Sequence, residues 1–263
     1  MHSTMAPSKG NWLKKVLLPL IFWLAVWQLA AFLVDRSVGG RGNELLLPYP
    51  LSVGQSLARL CCTGEFWQAA GLSLLRILMG LVAGTAAGTL LAVLTCGFPW
   101  CEALLAPAIR VVRATPITSF ILLILLWTGR NRVPMIIAAL MVIPVVWENL
   151  SQGIRSTDPQ LLEMARAYRF SRLKTGALIY WPTIRPYFGA AVTTAMGLAW
   201  KSGVAAEVIS LPKLAIGSEI YNSKVYLEIP DLFAWTLVVI LLSMILEGVL
   251  RRMVNGKKEV SGV

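Results

Sequence analysis

The sequence predicts an all-α, polytopic membrane protein with about six transmembrane helices, and three observations carry that expectation. Charged residues make up only 14% of the 263-residue chain against 57% hydrophobic, too few to coat a soluble globule of this size. Uncharged runs recur at residues 16–34, 77–101, 114–129, 133–147, 186–200 and 232–246. The charges, net +11, fall in the loops between these runs rather than on one soluble face, so the basic balance points to a lipid bilayer and not to nucleic acid.

The first run, 16–34, is longer than the roughly 7–15 residues of a signal-peptide core, so it reads as an uncleaved first span. Several later runs are shorter than the roughly 18 residues a span needs. Their helices must extend into flanking charged residues that snorkel or face the bundle. The positive-inside rule then orients the chain. Lys9, Lys14 and Lys15 mark the N-terminal segment as cytoplasmic, as Arg251, Arg252, Lys257 and Lys258 mark the C-terminal tail. The 148–185 loop, with six basic and three acidic residues, belongs to the same side. Six spans would place both termini in the cytoplasm. One loop disagrees, because Arg130 and Arg132 fall on the outer side. Trp67, Trp100, Trp127, Trp147, Trp181, Trp200 and Trp235 lie near expected span ends, as an interfacial aromatic belt would, unless tryptophan is simply frequent here.

Between the first two spans, Leu47-Pro48-Tyr49-Pro50 breaks any helix. Ser52 with Gln55 then offers a capping box for a short interfacial helix bearing Val53, Leu57 and Leu60. The second span carries Gly80, Gly84 and Gly88 four residues apart, a flat stripe that lets another helix approach closely, either within one subunit or across a dimer. Gly189, Thr193 and Gly197 repeat that spacing in the fifth span. At the start of the third, Arg110 and Arg113 precede Thr115 and Pro116. The proline removes a backbone donor and can kink the helix, so the segment is either a hinge lining a pathway or a pair of snorkelling charges. Lys201 and Glu207 close the fifth span, at a gate or at an interfacial helix end. Asn149-Leu150-Ser151 matches a glycosylation pattern but falls on the cytoplasmic side.

The polar stretch 158–182 is organised differently. Asp158 can cap free N–H groups and Pro159 suits the first helical position. Leu161, Leu162, Ala165 and Tyr168 follow at helical spacing beside Glu163, Arg166 and Arg169. Ser171 can cap a second short helix over 172–181, with Pro182 marking its end. Two short amphipathic helices in a basic loop form a docking device, or an amphipathic loop with no partner.

Glu163-Met164-Ala165, followed by a small hydrophobic helix and Ile179-Tyr180-Trp181-Pro182, resembles the Glu-Ala-Ala loop of ABC-importer permeases, which seats as a coupling helix in a groove of the cytoplasmic ATPase. Two positions depart from that pattern. Arg169 stands where the family has glycine six residues after the glutamate, and Trp181 stands where leucine is usual. A left-handed turn at Arg169 would cost roughly 1–2 kcal/mol, so a shifted turn is an alternative.

A second resemblance narrows the group. Leu47-Pro48-Tyr49-Pro50, Ser73-Leu74-Leu75-Arg76 and the glycine stripe come in the order seen in permeases of nitrate, taurine and alkanesulfonate importers. Arg113-Ala114-Thr115-Pro116 and Ala206-Glu207-Val208-Ile209 are similar to further elements of that group, while its Gly-Leu-Gly appears only as Ile216-Gly217. The likeness covers about residues 47–253 and implies a type I importer permease fold. It also implies a homodimer partner, two ATP-binding cassette subunits and an external solute-binding protein. The implied coupling contacts are Asp158, Leu161, Leu162, Glu163, Met164, Ala165, Ala167, Tyr168, Arg169 and Pro182; the implied pathway or gate residues are Arg113, Thr115, Pro116, Lys201 and Glu207.

No Gly-x4-Gly-Lys-Ser/Thr phosphate loop occurs, so no cofactor is expected on this chain and ATP is expected to be used by a partner ATPase. The single histidine, His2, is terminal, and the four cysteines show neither zinc spacing nor a disulfide framework. Neither a catalytic triad nor a metal site is indicated. The expected organisation is an N-terminal segment with the first span and the outer helix (1–65), a five-span core (66–254) containing the coupling loop (149–185), and a tail (255–263). An ion-coupled carrier would show intramembrane acids or internal repeats, and neither is clear. An energy-coupling vitamin transporter would lack the Leu-Pro-x-Pro and Ala-Glu-x-Ile elements. Arg76, Arg110, Arg113 and Lys201 outnumber the acids near the spans and point to an anionic substrate such as a sulfonate, taurine or nitrate.

Overall fold

A computed structural model describes the backbone of residues 9–38 and 43–255. The tail at 256–263 and His2 lie outside the described residues, as do the side chains of Lys9, Lys14 and Lys15. The described chain is helical from end to end: α1 (Lys9–Val38), α2 (Asn43–Leu46), α3 (Pro50–Cys61), α4 (Gly64–Gly97), α5 (Pro99–Ala114) and α6 (Ile117–Trp127) come first. They are followed by α7 (Val133–Arg155), α8 (Pro159–Ala167), α9 (Arg172–Thr175), α10 (Trp181–Ser210), α11 (Ile216–Val225) and α12 (Ile229–Asn255).

Each expected span falls on a helix, though the six differ in length and apolarity. Among the described residues four helices are long and apolar enough to cross a membrane: α1, α4, α7 and α12. The third run is broken: α5 and α6 meet at 106°, so they make a fifth span only if taken as one bent pair. Pro116 causes the break. It cannot donate to the ladder, and it pushes Thr115 into an extended conformation (φ −80°, ψ 135°) that ends α5. The 11-residue α6 is then about 17 Å long, too short to cross about 30 Å of hydrocarbon by itself. The fifth run lies in α10, whose 30 residues are long enough. With Arg185, Lys201 and several hydroxyl residues it is not apolar enough by composition. Instead α10 lies along α7 and also meets α6, so protein rather than lipid covers much of it.

By internal contacts the chain divides into two units, 1–66 with 220–237, and 67–219 with 238–263. In the first, Trp27 stacks on Phe233 with ring centroids 5.9 Å apart and donates to the Pro48 carbonyl at 3.1 Å. Arg59 holds Asp231 with both carboxylate oxygens, at 2.6 and 2.7 Å. Helix α3 begins at Pro50 with Tyr49 as its cap residue, so Ser52 is inside the helix and the expected capping box is not formed. A proline at the first helical position needs no donor and starts the helix three residues earlier, with Tyr49 rather than Ser52 as the cap residue.

In the larger unit the core is built where α6, α7 and α10 meet, around the buried Ile121, Val133, Ile137, Met141 and Ala206. The glycine stripe packs here, inside the subunit. A Cβ on Gly80 would lie 2.4 Å from the Met135 carbonyl oxygen, on Gly84 2.6 Å from that of Ala139, and on Gly88 2.9 Å from that of Ile143. Helix α7 thus rests on the stripe backbone to backbone. Gly189 is also buried, whereas a Cβ on Gly197 would meet only the tip of Glu247, at 3.4 Å.

The tryptophans divide between belt and core. Trp67, Trp100, Trp127 and Trp181 are exposed, as a belt requires. Trp200 and Trp235 are core residues instead: Trp200 is 1% exposed and donates to the Val239 carbonyl at 3.1 Å, and Trp235 packs on Phe66. A buried indole needs a partner for its N–H, and a helix carbonyl supplies it here.

Candidate functional site

In the stretch 158–182, helix α8 follows α7 after a three-residue connection, 156–158. Asp158 caps α8 by accepting from the Gln160 N–H at 2.9 Å, with Pro159 in the first turn. Ala165 faces inward, 2% exposed, while Leu161 and Met164 are each 42% exposed and Tyr168 is 73% exposed. Glu163, Ala167 and Arg169 are also exposed, and Leu162 is half-buried. This nine-residue helix therefore presents three large apolar side chains and an acid outward, over an inward-facing alanine.

The turn after α8 forms without glycine and without a shift. Arg169 itself adopts the left-handed conformation, φ 53°. The Phe170 N–H donates to the Ala165 carbonyl at 2.9 Å and the Arg169 N–H to that of Arg166 at 3.0 Å, the two bonds of a Schellman cap. The cap satisfies the Ala165 and Arg166 carbonyls at the end of α8, and that gain offsets the cost of holding an arginine there. Arg169→Gly is accordingly expected to stabilise the protein by about 1 kcal/mol, raising the melting temperature by roughly 2–4 °C in a chain of this size. Thermal unfolding in detergent checks it; an unchanged or lowered melting temperature would count against a strained turn.

The second part of the stretch differs from the expectation. Ser171 does cap, accepting from the Lys174 N–H at 3.3 Å. The helix does not end at Pro182, however. Residues Gly176–Tyr180 form one wide π-helical turn that leads directly into α10, with Pro182 in that helix's first turn. A proline there lacks a donor that the widened ladder leaves without use, so it is tolerated. The stretch is thus a free helix joined to a long one: α8 is bounded at both ends, and α9 is continuous with α10.

At the far end of α10 lies a buried polar cluster. Glu207 is fully buried. Its Oε2 accepts from the Ser73 hydroxyl at 2.8 Å and from the Gly217 N–H at 3.1 Å, and its Oε1 lies 3.7 Å from Arg76 Nη1. Ser73 Oγ in turn accepts from the Ile216 N–H at 2.9 Å. Arg76 donates to the carbonyls of Lys213 (2.8 Å) and Leu214 (3.1 Å). These side chains fasten the 211–217 loop, where Leu211 and Leu214 both have φ 50°. Glycine fits at 217 because a Cβ would come within 2.4 Å of the Glu207 Cβ. In sequence Ser73 was visible only as part of a motif, and Arg76 as part of that motif and as one cation near the spans, since nothing local ties Ser73 to an acid 134 residues away. Lys201, by contrast, is exposed and does not join the cluster.

Arg113 pairs with Glu148, and Arg155 with Glu102, so two ion pairs join α5 to α7. Thr115 is half-buried and its hydroxyl donates to the Val111 carbonyl at 2.8 Å, while Pro116 is exposed at the start of α6. Arg76 and Arg113 are therefore matched within the chain, which takes two of the four cations out of the charge argument for an anionic substrate.

Long apolar helices interrupted by a short amphipathic helix capped at both ends make this a multi-pass membrane protein. The chain belongs to the family of binding-protein-dependent transport system inner membrane components, whose model matches residues 65–257. It is 32% identical over 228 residues to a permease of Escherichia coli (strain K12) provisionally named for aliphatic sulfonates transport, covering 85% of this chain and 84% of that one. A protein of the same name in Bacillus subtilis (strain 168) is 26% identical over 227 residues, covering 85% and 79%. Among solved structures, a bacterial alginate ABC transporter in complex with an alginate pentasaccharide-bound periplasmic protein matches with a TM-score of 0.62 at 15% identity, over 97% of each chain. The relatives are permease subunits rather than enzymes, and the chain is a multi-pass inner-membrane protein of the ABC importer permease family with the type I fold.

Proposed function

We propose that this chain forms the translocation pathway of an importer as a homodimer, fed by an external solute-binding protein and driven by two separate ATPase subunits that seat on α8. The supporting observation is α8 itself, with Leu161, Met164 and Tyr168 exposed on a helix whose ends are both capped. Glu163, Ala167 and Arg169 would line the same contact. Both termini and residues 158–182 would be cytoplasmic, and ATP would be hydrolysed by the partner.

In this mechanism, closure of the ATPase pair pushes the two copies of α8 together. A helix of nine residues capped at both ends moves as a unit, so its displacement passes to α7 through 156–158 and to α10 through the continuous α9 and π turn. Because α7 and α10 pack along each other, a packed bundle with two arrangements switches between them rather than bending. Arg113, Thr115 and Pro116 sit at the 106° break, where such a switch has backbone freedom to act. The binding protein releases its solute into the cavity between the subunits. Lys201, exposed on α10, would face that pathway. Glu207, buried in the cluster, braces the pathway's wall instead of lining it.

The solute is a small anion of the sulfonate, taurine or nitrate type, supported by the names of the relatives and by Arg110 and Lys201, which form no ion pair among the described residues. A vitamin-type or ion-coupled carrier is not favoured. Copurification with an ATPase and a binding protein tests the assembly. Glu163→Lys and Ala165→Trp test the coupling: uptake into proteoliposomes should fall at least about tenfold, equivalent to about 1.4 kcal/mol, while ATP hydrolysis continues. Unchanged uptake in both variants would remove α8 from the mechanism. Thermal shift of the binding protein with alkanesulfonates, nitrate and a cationic solute tests the substrate class, and a shift with the cation alone would end the anion assignment.

A further inference from the structure

The outer-side arginines Arg130 and Arg132 break the charge rule that orients the rest of the chain, and neither the fold nor the coupling mechanism uses them. They occupy the turn between α6 and α7, and Arg132 is held there by its N–H donating to the Gly129 carbonyl at 2.9 Å. The 211–217 loop reaches the same place: the Asn131 side-chain oxygen accepts from the Lys213 N–H at 3.0 Å. Gly129, Arg130, Asn131, Arg132, Leu211 and Lys213 line an open cavity of about 530 Å3. Arg130, Arg132 and Lys213 are all exposed, the lining contains no acid, and among the described residues none of the three takes part in an ion pair.

The backbone beneath the three cations is fixed. Arg76 ties the Lys213 carbonyl, Asn131 ties its N–H, and Ser218 donates to the Pro212 carbonyl at 2.7 Å. The position also matters. The patch lies at the Val133 end of α7 and the coupling stretch follows its Arg155 end, and 23 helical residues separate the two by about 34 Å. If α8 meets an ATPase on one side of the membrane, the patch lies at the other.

We propose that Arg130, Arg132 and Lys213 form a docking point for an acidic face of the external solute-binding protein, a reading that rests on the importer assignment above. Exposed charge pairs each contribute only about 0–1 kcal/mol, so one small ion would gain little at so open a site. A protein face carrying several carboxylates engages all three cations together. Clustered like charges of this kind act mainly by steering: they raise association rates about 10–1,000-fold and lose that effect as salt screens them.

The experiment uses the full transporter, permease with ATPase, in nanodiscs, and the binding protein that copurifies with it. Association rates are measured at about 10 mM ionic strength, where charges act over about 30 Å, and at about 150 mM, where they act over about 8 Å. Arg130→Gln/Arg132→Gln/Lys213→Gln is expected to slow association at least about tenfold at low ionic strength and to flatten its salt dependence. Arg130→Lys/Arg132→Lys, which keeps the charge, should associate like the wild type. If the binding protein associates with the wild type and equally fast with the glutamine variant, the docking point is overturned while the importer reading stands. If no binding protein associates with the wild type, both are overturned. Equal loss in the lysine variant would mark a structural role and overturn the proposal, as would an effect seen only in nanodiscs containing anionic lipid, which would assign the patch to headgroups.

Discussion

Replacing Arg76 with alanine is expected to destabilise the protein by about 3–5 kcal/mol, because it leaves the fully buried Glu207 carboxylate without its cation. The same change frees the carbonyls of Lys213 and Leu214, so the loop with two left-handed leucines loses the groups that hold it. Two substitutions separate these effects. Glu207→Gln keeps an oxygen for Ser73 and Gly217 while removing the charge, so the double variant Arg76→Ala/Glu207→Gln should recover part of the loss. The measurement is a double-mutant cycle by thermal or denaturant unfolding in detergent. Simple additivity in that cycle would show that Arg76 and Glu207 do not act on each other.

Gly84→Val should be nearly as damaging, and Gly197→Ala nearly silent. At Gly84 even the first added carbon would lie 2.6 Å from the Ala139 carbonyl oxygen and 2.8 Å from the Val142 Cβ, so α4 and α7 must separate along the stripe. Overpacking of this kind costs about 1–3 kcal/mol, and here the obstacle is backbone, which cannot rotate away. At Gly197 the nearest obstacle is the end of a flexible glutamate, at 3.4 Å, and alanine should change stability by less than about 0.5 kcal/mol. The fraction of monodisperse protein after extraction and its melting temperature check both. A Gly84→Val variant that extracts and melts like the wild type would contradict the packing described for α7.

These two glycines show where reading the sequence reaches its limit. Both belong to four-residue repeats, and spacing along a helix places small residues on one face without saying what that face meets. Only the folded chain puts the carbonyls of Met135, Ala139 and Ile143 against one stripe and no more than the tip of Glu247 against Gly197 of the other. Trp200 and Trp235 teach the same lesson. Position near the end of an apolar run fits an interfacial belt, but burial depends on neighbours far along the chain, the Val239 carbonyl and Phe66.

What the sequence determined by itself was whatever depends on local chemistry and on the solvent. Apolar runs too long and too uncharged for water set the membrane class and the helical fold, because lipid leaves a backbone no other partner. Asp158 and Ser171 were legible as caps, and Pro116 as a weak point, because a cap and a missing donor act within one turn. The stretch 158–182 stood out for its polarity between apolar runs. Tertiary structure decided the rest. It extended that stretch through Pro182 into α10, made the Pro116 kink a break of 106°, and held Arg169 in a conformation its side chain disfavours. It also joined Ser73, Arg76, Glu207 and Gly217 into one cluster, since a buried carboxylate takes its partners from wherever the packed chain brings them.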